Sequence, residues 1–137
     1  MLLFIKYKPR YHICQGYISR EKTGTVRIRI TDNKAYLTIK GKPAVGHFAR
    51  YEWEKEIEIT DAKELIKLCQ GTIIEKTRWI VPAAEDGLKW EVDEFHGRYQ
   101  GLEVAEIELE SEDQIVELPA FIGKEVTDDP QYYNANM

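Results

Sequence analysis

The segments Thr25-Val-Arg-Ile-Arg-Ile30 and Arg50-Tyr-Glu-Trp-Glu-Lys-Glu-Ile57 are the most informative parts of this sequence. In both, charged residues alternate with apolar or aromatic ones, which is the period of two expected of a β-strand. Alternate side chains of a strand point to the same face and lie about 7 Å apart. The first segment therefore carries two arginines on one face, and the second carries three glutamates beside its arginine.

Three later segments repeat this arrangement: Lys76-Thr-Arg78, Glu91-Val-Asp93 and Glu106-Ile-Glu108. The charges are sorted by sign from segment to segment, whereas most protein surfaces intersperse the two signs. Two geometries explain the sorting. The charged faces are either the solvated outside of a sandwich or the lining of a closed barrel, which at roughly eight strands holds one small ligand. The periodicity leaves both geometries open.

The second geometry suits a polyphosphate with its metal ions. The planar fork of arginine binds phosphate oxygens through two parallel hydrogen bonds. Mg²⁺ prefers one or two carboxylates together with phosphate oxygens and water. Cationic and acidic faces on one lumen would supply both sets of ligands.

Short period-two runs separated by turn residues predict seven strands, near residues 11–19, 25–31, 35–41, 49–59, 73–82, 88–96 and 102–109. A helix is predicted to start at the capping pair Thr60-Asp61 and to end at Gly71. A second helix is expected over about 119–126, and a short helical or irregular closure over 128–134. The fold class is α+β with strand predominating, in an antiparallel barrel or sandwich that forms a single domain over residues 1–137.

Composition excludes several classes of protein. A formal net charge of -5 argues against broad nonspecific nucleic-acid binding, which requires a basic surface. Two cysteines make neither a disulfide framework nor a zinc pattern. The apolar start, Met1–Ile5, is too short for a signal peptide or a membrane span. We therefore expect a cytoplasmic protein without nucleic-acid or membrane partners.

A series of spaced motifs occurs in order along the chain. The motifs are Gln15-Gly-Tyr-Ile-Ser19, Thr25-Val-Arg-Ile-Arg29, Leu37-Thr-Ile-Lys-Gly41, Arg50-x-Glu-x-Glu-x-Glu-Ile57, Glu75-Lys-Thr-Arg-Trp79, Trp90-Glu-Val-Asp93, Gly101-Leu-x-x-Ala-Glu-x-Glu-Leu109, Ile122-Gly-x-Glu-Val-Thr127 and Tyr132-Tyr-Asn134. From about residue 14 to the end, this series resembles the CYTH domain of the triphosphate tunnel metalloenzymes, especially its compact bacterial members.

The resemblance implies an antiparallel β-barrel of eight strands with a few covering helices, and charged faces that line a triphosphate tunnel. It implies that the phosphates are held by Arg27, Arg29, Lys40, Arg50, Lys76 and Arg78. It further implies that Mg²⁺ or Mn²⁺ is held, directly or through water, by Glu52, Glu54, Asp93, Glu106 and Glu108. Glu91 is an additional metal candidate because it shares a face with Asp93. No residue is assigned to the chemical step itself.

The chain departs from the family pattern at its start. The family has an N-terminal Glu-x-Glu-x-Lys strand, whereas this sequence begins Met1-Leu-Leu-Phe-Ile-Lys-Tyr-Lys8. We therefore expect an N-terminally truncated domain that lacks the first strand and two metal-binding acids.

The function that the resemblance implies is hydrolysis of inorganic tripolyphosphate to pyrophosphate and phosphate. Two alternatives stay open inside the family: a class IV adenylate cyclase, and a hydrolase of another organic triphosphate. A third alternative, a noncatalytic polyphosphate-binding module, follows from the missing acids. A homodimer is an open alternative to a monomer.

Overall fold

The computed structural model describes residues 10–42, 51–84, 87–109, 114, 116–119, 122–126, 129–132, 134 and 137. These residues form strands β1 (Arg10–Glu21), β2 (Gly24–Thr31), β3 (Lys34–Gly41), β4 (Glu52–Ile57), β5 (Gln70–Pro82), β6 (Lys89–Phe95) and β7 (Glu103–Ile107). They also form helix α1 (Ile59–Ile66) and two short 3-10 helices, Gly97–Tyr99 and Pro130–Tyr132. The strand-dominated α+β class and all seven predicted strands are confirmed.

The strands make one seven-stranded sheet in the order β4-β3-β2-β1-β5-β6-β7. The pairs β1–β2, β2–β3, β3–β4, β5–β6 and β6–β7 are antiparallel. In this order β4 and β7 each have one neighbour, so no pairing among the described strands closes the sheet into a barrel. Within the runs β1 to β4 and β5 to β7, each strand pairs with the next one along the chain, because consecutive strands usually lie side by side.

The chain divides into two compact units, and the larger comprises residues 13–75 and 128–137. Its strands present an apolar face to helix α1. The buried centre of this core is Ile28, Ala35 and Ala62. Around that centre pack Ile18, Ile30, Leu37, Ile57, Ile59, Leu65, Ile66 and Cys69. The alternate residues of β2 and β3 therefore face away from the helix, and these are the charged and hydroxyl side chains.

Helix α1 starts and ends earlier than the sequence predicted. Its first residue is Ile59, its N-cap is Glu58, and the Glu58 side chain makes no capping hydrogen bond. The prediction of a Thr60-Asp61 cap was wrong because Ile59 packs into the core as part of the first helical turn. The helix ends at Ile66, five residues before Gly71, whose positive φ of 70° lies within β5.

The smaller unit comprises residues 1–12 and 76–127. Its core consists of Trp79, Val81, Trp90 and Val92, which alternate with the charged residues of β5 and β6. Val116 and Ile122, from the chain beyond β7, pack against this apolar core.

The second predicted helix, over about 119–126, is absent from the described residues 122–126. The amide of Ile122 donates to the carbonyl of Pro119 (3.0 Å), which is one turn and not a helix. The prediction of a helix was therefore wrong for the described part of this segment. The 3-10 helix Pro130–Tyr132 fits the expected short closure.

No helix among the described residues is long and apolar enough to cross a membrane.

The close packing of β1 gives a stability prediction at Gly16. A Cβ atom added there would lie 2.7 Å from Ile73 Cδ1 and 2.8 Å from Cys69 Cβ. We expect Gly16→Ala to lower the free energy of unfolding by about 1–3 kcal/mol, the usual cost of overpacking. Urea denaturation measures this change.

Gly24→Ala is the matched control, because the nearest atom to its added Cβ is Lys40 O at 3.6 Å, an ordinary contact. This control is expected to change the free energy of unfolding by less than about 0.5 kcal/mol. Equal effects of the two substitutions would contradict the packing described for Gly16.

Candidate functional site

One row of polar side chains crosses the larger unit on the face opposite α1. Arg27 on β2 lies opposite Thr38 on β3, and Thr38 lies opposite Glu54 on β4. Arg27 Nη2 donates to Thr38 Oγ1 (3.4 Å), and Thr38 Oγ1 donates to Glu54 Oε1 (2.8 Å). Arg27 Nη2 also lies 3.9 Å from Glu54 Oε1. The strand register therefore places a cation and a carboxylate at the two ends of one hydrogen-bonded row.

Arg27 is buried with only part of its hydrogen-bonding capacity used. The residue is 8% exposed. Its Nε–H group has no hydrogen-bond partner in the part of the chain that the structure describes. Buried N–H groups are nearly always paired, and leaving one unpaired costs about 1–3 kcal/mol. Among the described residues this donor has no acceptor, so it is available to a bound ligand.

The neighbouring rows of the same face carry two further cations. Arg29 Nε donates to Gln15 Oε1 (2.7 Å), and these residues lie opposite each other on β2 and β1. Lys40 Nζ lies 3.8 Å from Glu52 Oε1, its partner across β3 and β4. The Glu52 and Glu54 side chains are about half exposed, at 49% and 48%. Arg50, the remaining predicted phosphate ligand in this region, lies outside the described residues.

A second cluster of charges lies within the smaller unit, on the face opposite its tryptophans. Arg78 Nε donates to Asp93 Oδ1 (2.8 Å), and Arg78 Nη2 donates to Asp93 Oδ2 (2.9 Å). Lys76 Nζ lies 2.7 Å from Asp93 Oδ2. Arg78 Nη1 donates to Glu91 Oε2 (3.3 Å). Lys76 and Asp93 are 1% and 2% exposed, so these charges are part of the interior and not a solvated surface.

The cluster shifts the proton affinities of its members. Burial alone would raise the pKa of Asp93, but hydrogen bonds from Arg78 and the charge of Lys76 outweigh it, and the pKa is lowered. Burial alone would lower the pKa of Arg78, but the hydrogen bonds and charge of Asp93 outweigh it, and the pKa is raised. Both residues therefore stay charged near neutral pH, as a bidentate pair requires.

The remaining predicted metal ligands, Glu106 and Glu108, lie in β7 and directly after it. Glu91 on β6 lies directly opposite Glu106 on β7. Glu106 is exposed, as is Glu108, and the negative charge of Glu106 contributes to the raised pKa of Arg78. Directly opposed like charges repel across a sheet unless a cation or water lies between them.

The donor chemistry of these carboxylates fits a divalent cation bound in part by the substrate. In the described residues, no three acidic, histidine or cysteine side chains gather closely enough to hold a metal ion alone. Glu52 with Glu54 and Glu91 with Glu106 instead offer pairs of carboxylates. Mg²⁺ is commonly held by one or two carboxylates, with phosphate oxygens and water completing the shell.

The structure therefore gathers the predicted residues into two sets, each described within its own unit. The first set is Arg27, Arg29, Lys40, Glu52 and Glu54, and the second is Lys76, Arg78, Glu91, Asp93 and Glu106. Sequence reasoning missed Thr38 and Gln15, which bond to Arg27 and Arg29. Alternation with Lys40 could have placed Thr38 on the charged face. Gln15 could not have been found without the β1–β2 register.

Comparisons with known proteins agree with this arrangement. The model of the CYTH domain family matches residues 10–133. The inorganic triphosphatase of Acetivibrio thermocellus is 44% identical over 124 residues, covering 90% of this chain and 77% of that protein. The inorganic triphosphatase of Nitrosomonas europaea is 32% identical over 123 residues, covering 88% of this chain and 79% of that protein.

Solved structures give the same result for the fold. The crystal structure of the inorganic triphosphatase NE1496 superposes with a TM-score of 0.67 at 30% identity, covering 93% of this chain and 84% of that one. A conserved hypothetical protein from Pyrococcus furiosus superposes with a TM-score of 0.55 at 27% identity, covering 77% of this chain and 65% of that one. With a family match over residues 10–133 and relatives 44% and 32% identical over most of its length, the chain belongs to the CYTH domain family.

Proposed function

We propose that this protein hydrolyses inorganic tripolyphosphate to pyrophosphate and phosphate in a metal-dependent reaction. The observation that carries the proposal is the buried, partly unpaired guanidinium of Arg27, whose Nε–H requires an acceptor. A phosphate oxygen is a suitable acceptor because charge-assisted hydrogen bonds are roughly twice as strong as neutral ones. The two relatives named inorganic triphosphatase, at 44% and 32% identity, support a triphosphate as the source of that oxygen.

All the predicted cations bind phosphate in this proposal. Arg27, Arg29 and Lys40 bind phosphate oxygens from the charged face of the larger unit, and Arg50 is assigned the same role from the sequence. Lys76 and Arg78 bind phosphate from the charged face of the smaller unit. Such contacts neutralise the charge that develops on the equatorial oxygens and hold the scissile bond in line with an attacking water. Attack at a terminal phosphorus breaks the P–O–P bond and releases one phosphate.

The carboxylates hold the metal ion in the proposal. Glu52, Glu54, Glu91, Glu106 and Glu108 are exposed or partly exposed, so they are accessible to an ion. A bound Mg²⁺ or Mn²⁺ would supply charge neutralisation at the phosphates. Oxygen-only donor sets favour such hard cations over zinc.

Asp93 is assigned a different role from the other acids. Both of its oxygens already accept hydrogen bonds or an ion pair from Arg78 and Lys76, at 2.7–2.9 Å. We therefore assign it to holding the two cations in their binding positions, with metal binding left to the more exposed glutamates. The homodimer, the cytoplasmic location and the lack of nucleic-acid and membrane partners stay predictions.

Steady-state assays of phosphate release test the proposal against its alternatives. Tripolyphosphate is expected to be turned over with Mg²⁺ and not with excess EDTA, and ATP is expected to give no cyclic AMP. Binding of tripolyphosphate without turnover would favour the polyphosphate-binding module. Cyclic AMP formation from ATP would favour the cyclase.

Replacing Arg27 should separate function from stability. In Arg27→Met, kcat/KM for tripolyphosphate is expected to fall by about tenfold to hundredfold, the value of one or two hydrogen bonds to a charged group. The free energy of unfolding is expected to stay the same or rise, because a partly unpaired buried charge is replaced by an apolar side chain.

Arg98→Met is the matched control for this test. Arg98 is exposed and lies over the ring of Tyr99, in the 3-10 helix Gly97–Tyr99. Its loss is expected to leave kcat/KM within about twofold, since surface substitutions are near neutral. A loss of activity in Arg27→Met that is matched by an equal loss of folded protein would contradict the assigned role.

Asp93 gives a prediction of pH-dependent stability. Asp93→Asn is expected to lower the free energy of unfolding at pH 7 by about 3–5 kcal/mol, because it removes the buried carboxylate that pairs with both Lys76 and Arg78. The folded-state pKa of Asp93 is lowered, so its stabilisation is present above the unfolded pKa of about 3.9 and is lost as pH falls through the folded pKa.

Denaturation of wild type and Asp93→Asn between pH 7 and pH 2 measures this dependence. The difference between them should shrink only below about pH 4. Glu91→Gln is the control: its side chain is 36% exposed and contacts the same arginine, and we expect a cost under about 1 kcal/mol. A pH-independent gap for Asp93→Asn would show that its charge is not what stabilises the fold.

A further inference from the structure

Gln15 is a buried amide that connects Arg29 to a distant part of the chain. It is 0% exposed. Its Oε1 accepts from Arg29 Nε (2.7 Å), and its Nε2 donates to Asn134 Oδ1 (2.7 Å). Both bonds are shorter than the usual N–H···O distance of about 2.9–3.0 Å. Gln15 therefore connects Asn134, near the end of the chain, to Arg29 on the charged face of β2.

The chemistry of the three groups fixes the direction of this chain of hydrogen bonds. A guanidinium has donors and no acceptor, so the Gln15 amide must turn its oxygen toward Arg29. Its NH₂ group must then point to Asn134, which has to present its own oxygen. Neither amide can flip without losing one of these hydrogen bonds. The orientations of Asn134, Gln15 and the Arg29 guanidinium are therefore coupled through these two hydrogen bonds.

Asn134 is itself held in place by contacts further along the chain. The amide of Met137 donates to Asn134 O (3.2 Å), and Arg20 Nη1 donates to Met137 O (3.2 Å). Arg20 also donates to the carbonyls of Gln70 and Thr72, both at 3.1 Å. Asn134 is thus connected through backbone groups to the start of β5 as well as to β1.

We propose that Gln15 and Asn134 are positioning residues that set the orientation of Arg29 for phosphate binding. The inference rests on the proposed function, because it takes Arg29 to bind phosphate through its Nη groups. A guanidinium recognises a phosphate by a fixed planar fork. A rotation of that plane therefore weakens a bidentate contact while the charge remains.

The test compares KM for tripolyphosphate in four proteins: wild type, Asn134→Ala, Arg29→Ala and the double variant. Asn134→Ala is expected to raise KM by about fivefold, the value of one ordinary hydrogen bond, with a smaller change in kcat. In the Arg29→Ala background the same substitution should leave KM unchanged. A purely structural role predicts either no change in KM or an equal change in both backgrounds, and either result would overturn the proposal.

Two further variants support this cycle. Asn33→Ala, in the exposed β2–β3 turn, removes the same side chain where it meets no cation of the charged face, and is expected to leave KM unchanged. Asn134→Ser keeps a polar group that is too short to reach Gln15. It is expected to raise KM as Asn134→Ala does, and it replaces that variant if the alanine protein does not fold.

NMR distinguishes failure of this inference from failure of the proposed function. If wild type does not turn over tripolyphosphate, the proposed function fails. The coupling of Asn134 to Arg29 through Gln15 is then tested by the chemical shift of the Arg29 Nε–H proton. This resonance should move in Asn134→Ala and stay in place in Asn33→Ala. An unchanged Arg29 Nε–H resonance in Asn134→Ala would overturn the proposed positioning role of Gln15 and Asn134, whether or not the protein is active.

Discussion

The compensation of buried cations is the constraint on which this structure depends. Lys76 is fully buried, Arg27 is nearly so, and removing a charged group from water carries an effective cost of several kcal/mol. Each strand must meet this cost on one face while its other face packs on tryptophans or on helix α1. Cations on β2, β3 and β5 are paired with acids on β4 and β6, so charges of opposite sign lie on different strands of the same face.

The two clusters meet this constraint in different ways. Asp93 accepts from both Lys76 and Arg78, so that its carboxylate is fully used within the protein. Arg27 has a weaker arrangement, with a long hydrogen bond to Thr38, a half-exposed acid at 3.9 Å and an Nε–H that has no partner among the residues the structure describes. Both oxygens of Asp93 are therefore engaged, whereas Arg27 keeps an unused donor among the described residues. Binding sites commonly keep such locally unfavourable groups, and the remainder of the fold stabilises them.

Strand positions and face assignments could be predicted from the sequence, because period-two alternation reports them directly. The sequence placed Arg27 and Arg29 on one face of their strand. In the structure Ile28, which lies between them and points to the other face, is at the centre of the apolar core. Register could not be predicted, because alternation along one strand says nothing of its alignment with the next. The bonds of Arg29 to Gln15 and of Gln15 to Asn134 therefore emerged only from the structure.

Local signals misled where tertiary packing overrode them. Thr60-Asp61 has the residue types of an N-cap, yet the burial of Ile59 moves the helix start to an uncapped Glu58. The sequence around Ile122 suggested a helix, but the described residues 122–126 are irregular and Ile122 packs against the core of the smaller unit. In both cases the hydrophobic core determined the local structure, since burial of a large apolar side chain is worth about 1.5–3 kcal/mol and a cap about 1 kcal/mol.

The central claim is that a face built to bind phosphate carries out hydrolysis of tripolyphosphate. Phosphorus NMR of one reaction, with purified protein, tripolyphosphate and Mg²⁺, tests it most directly. The account predicts loss of the tripolyphosphate signals and growth of pyrophosphate and orthophosphate in equal amounts, with no reaction after addition of EDTA. Unchanged tripolyphosphate in the presence of folded protein and Mg²⁺ would contradict it.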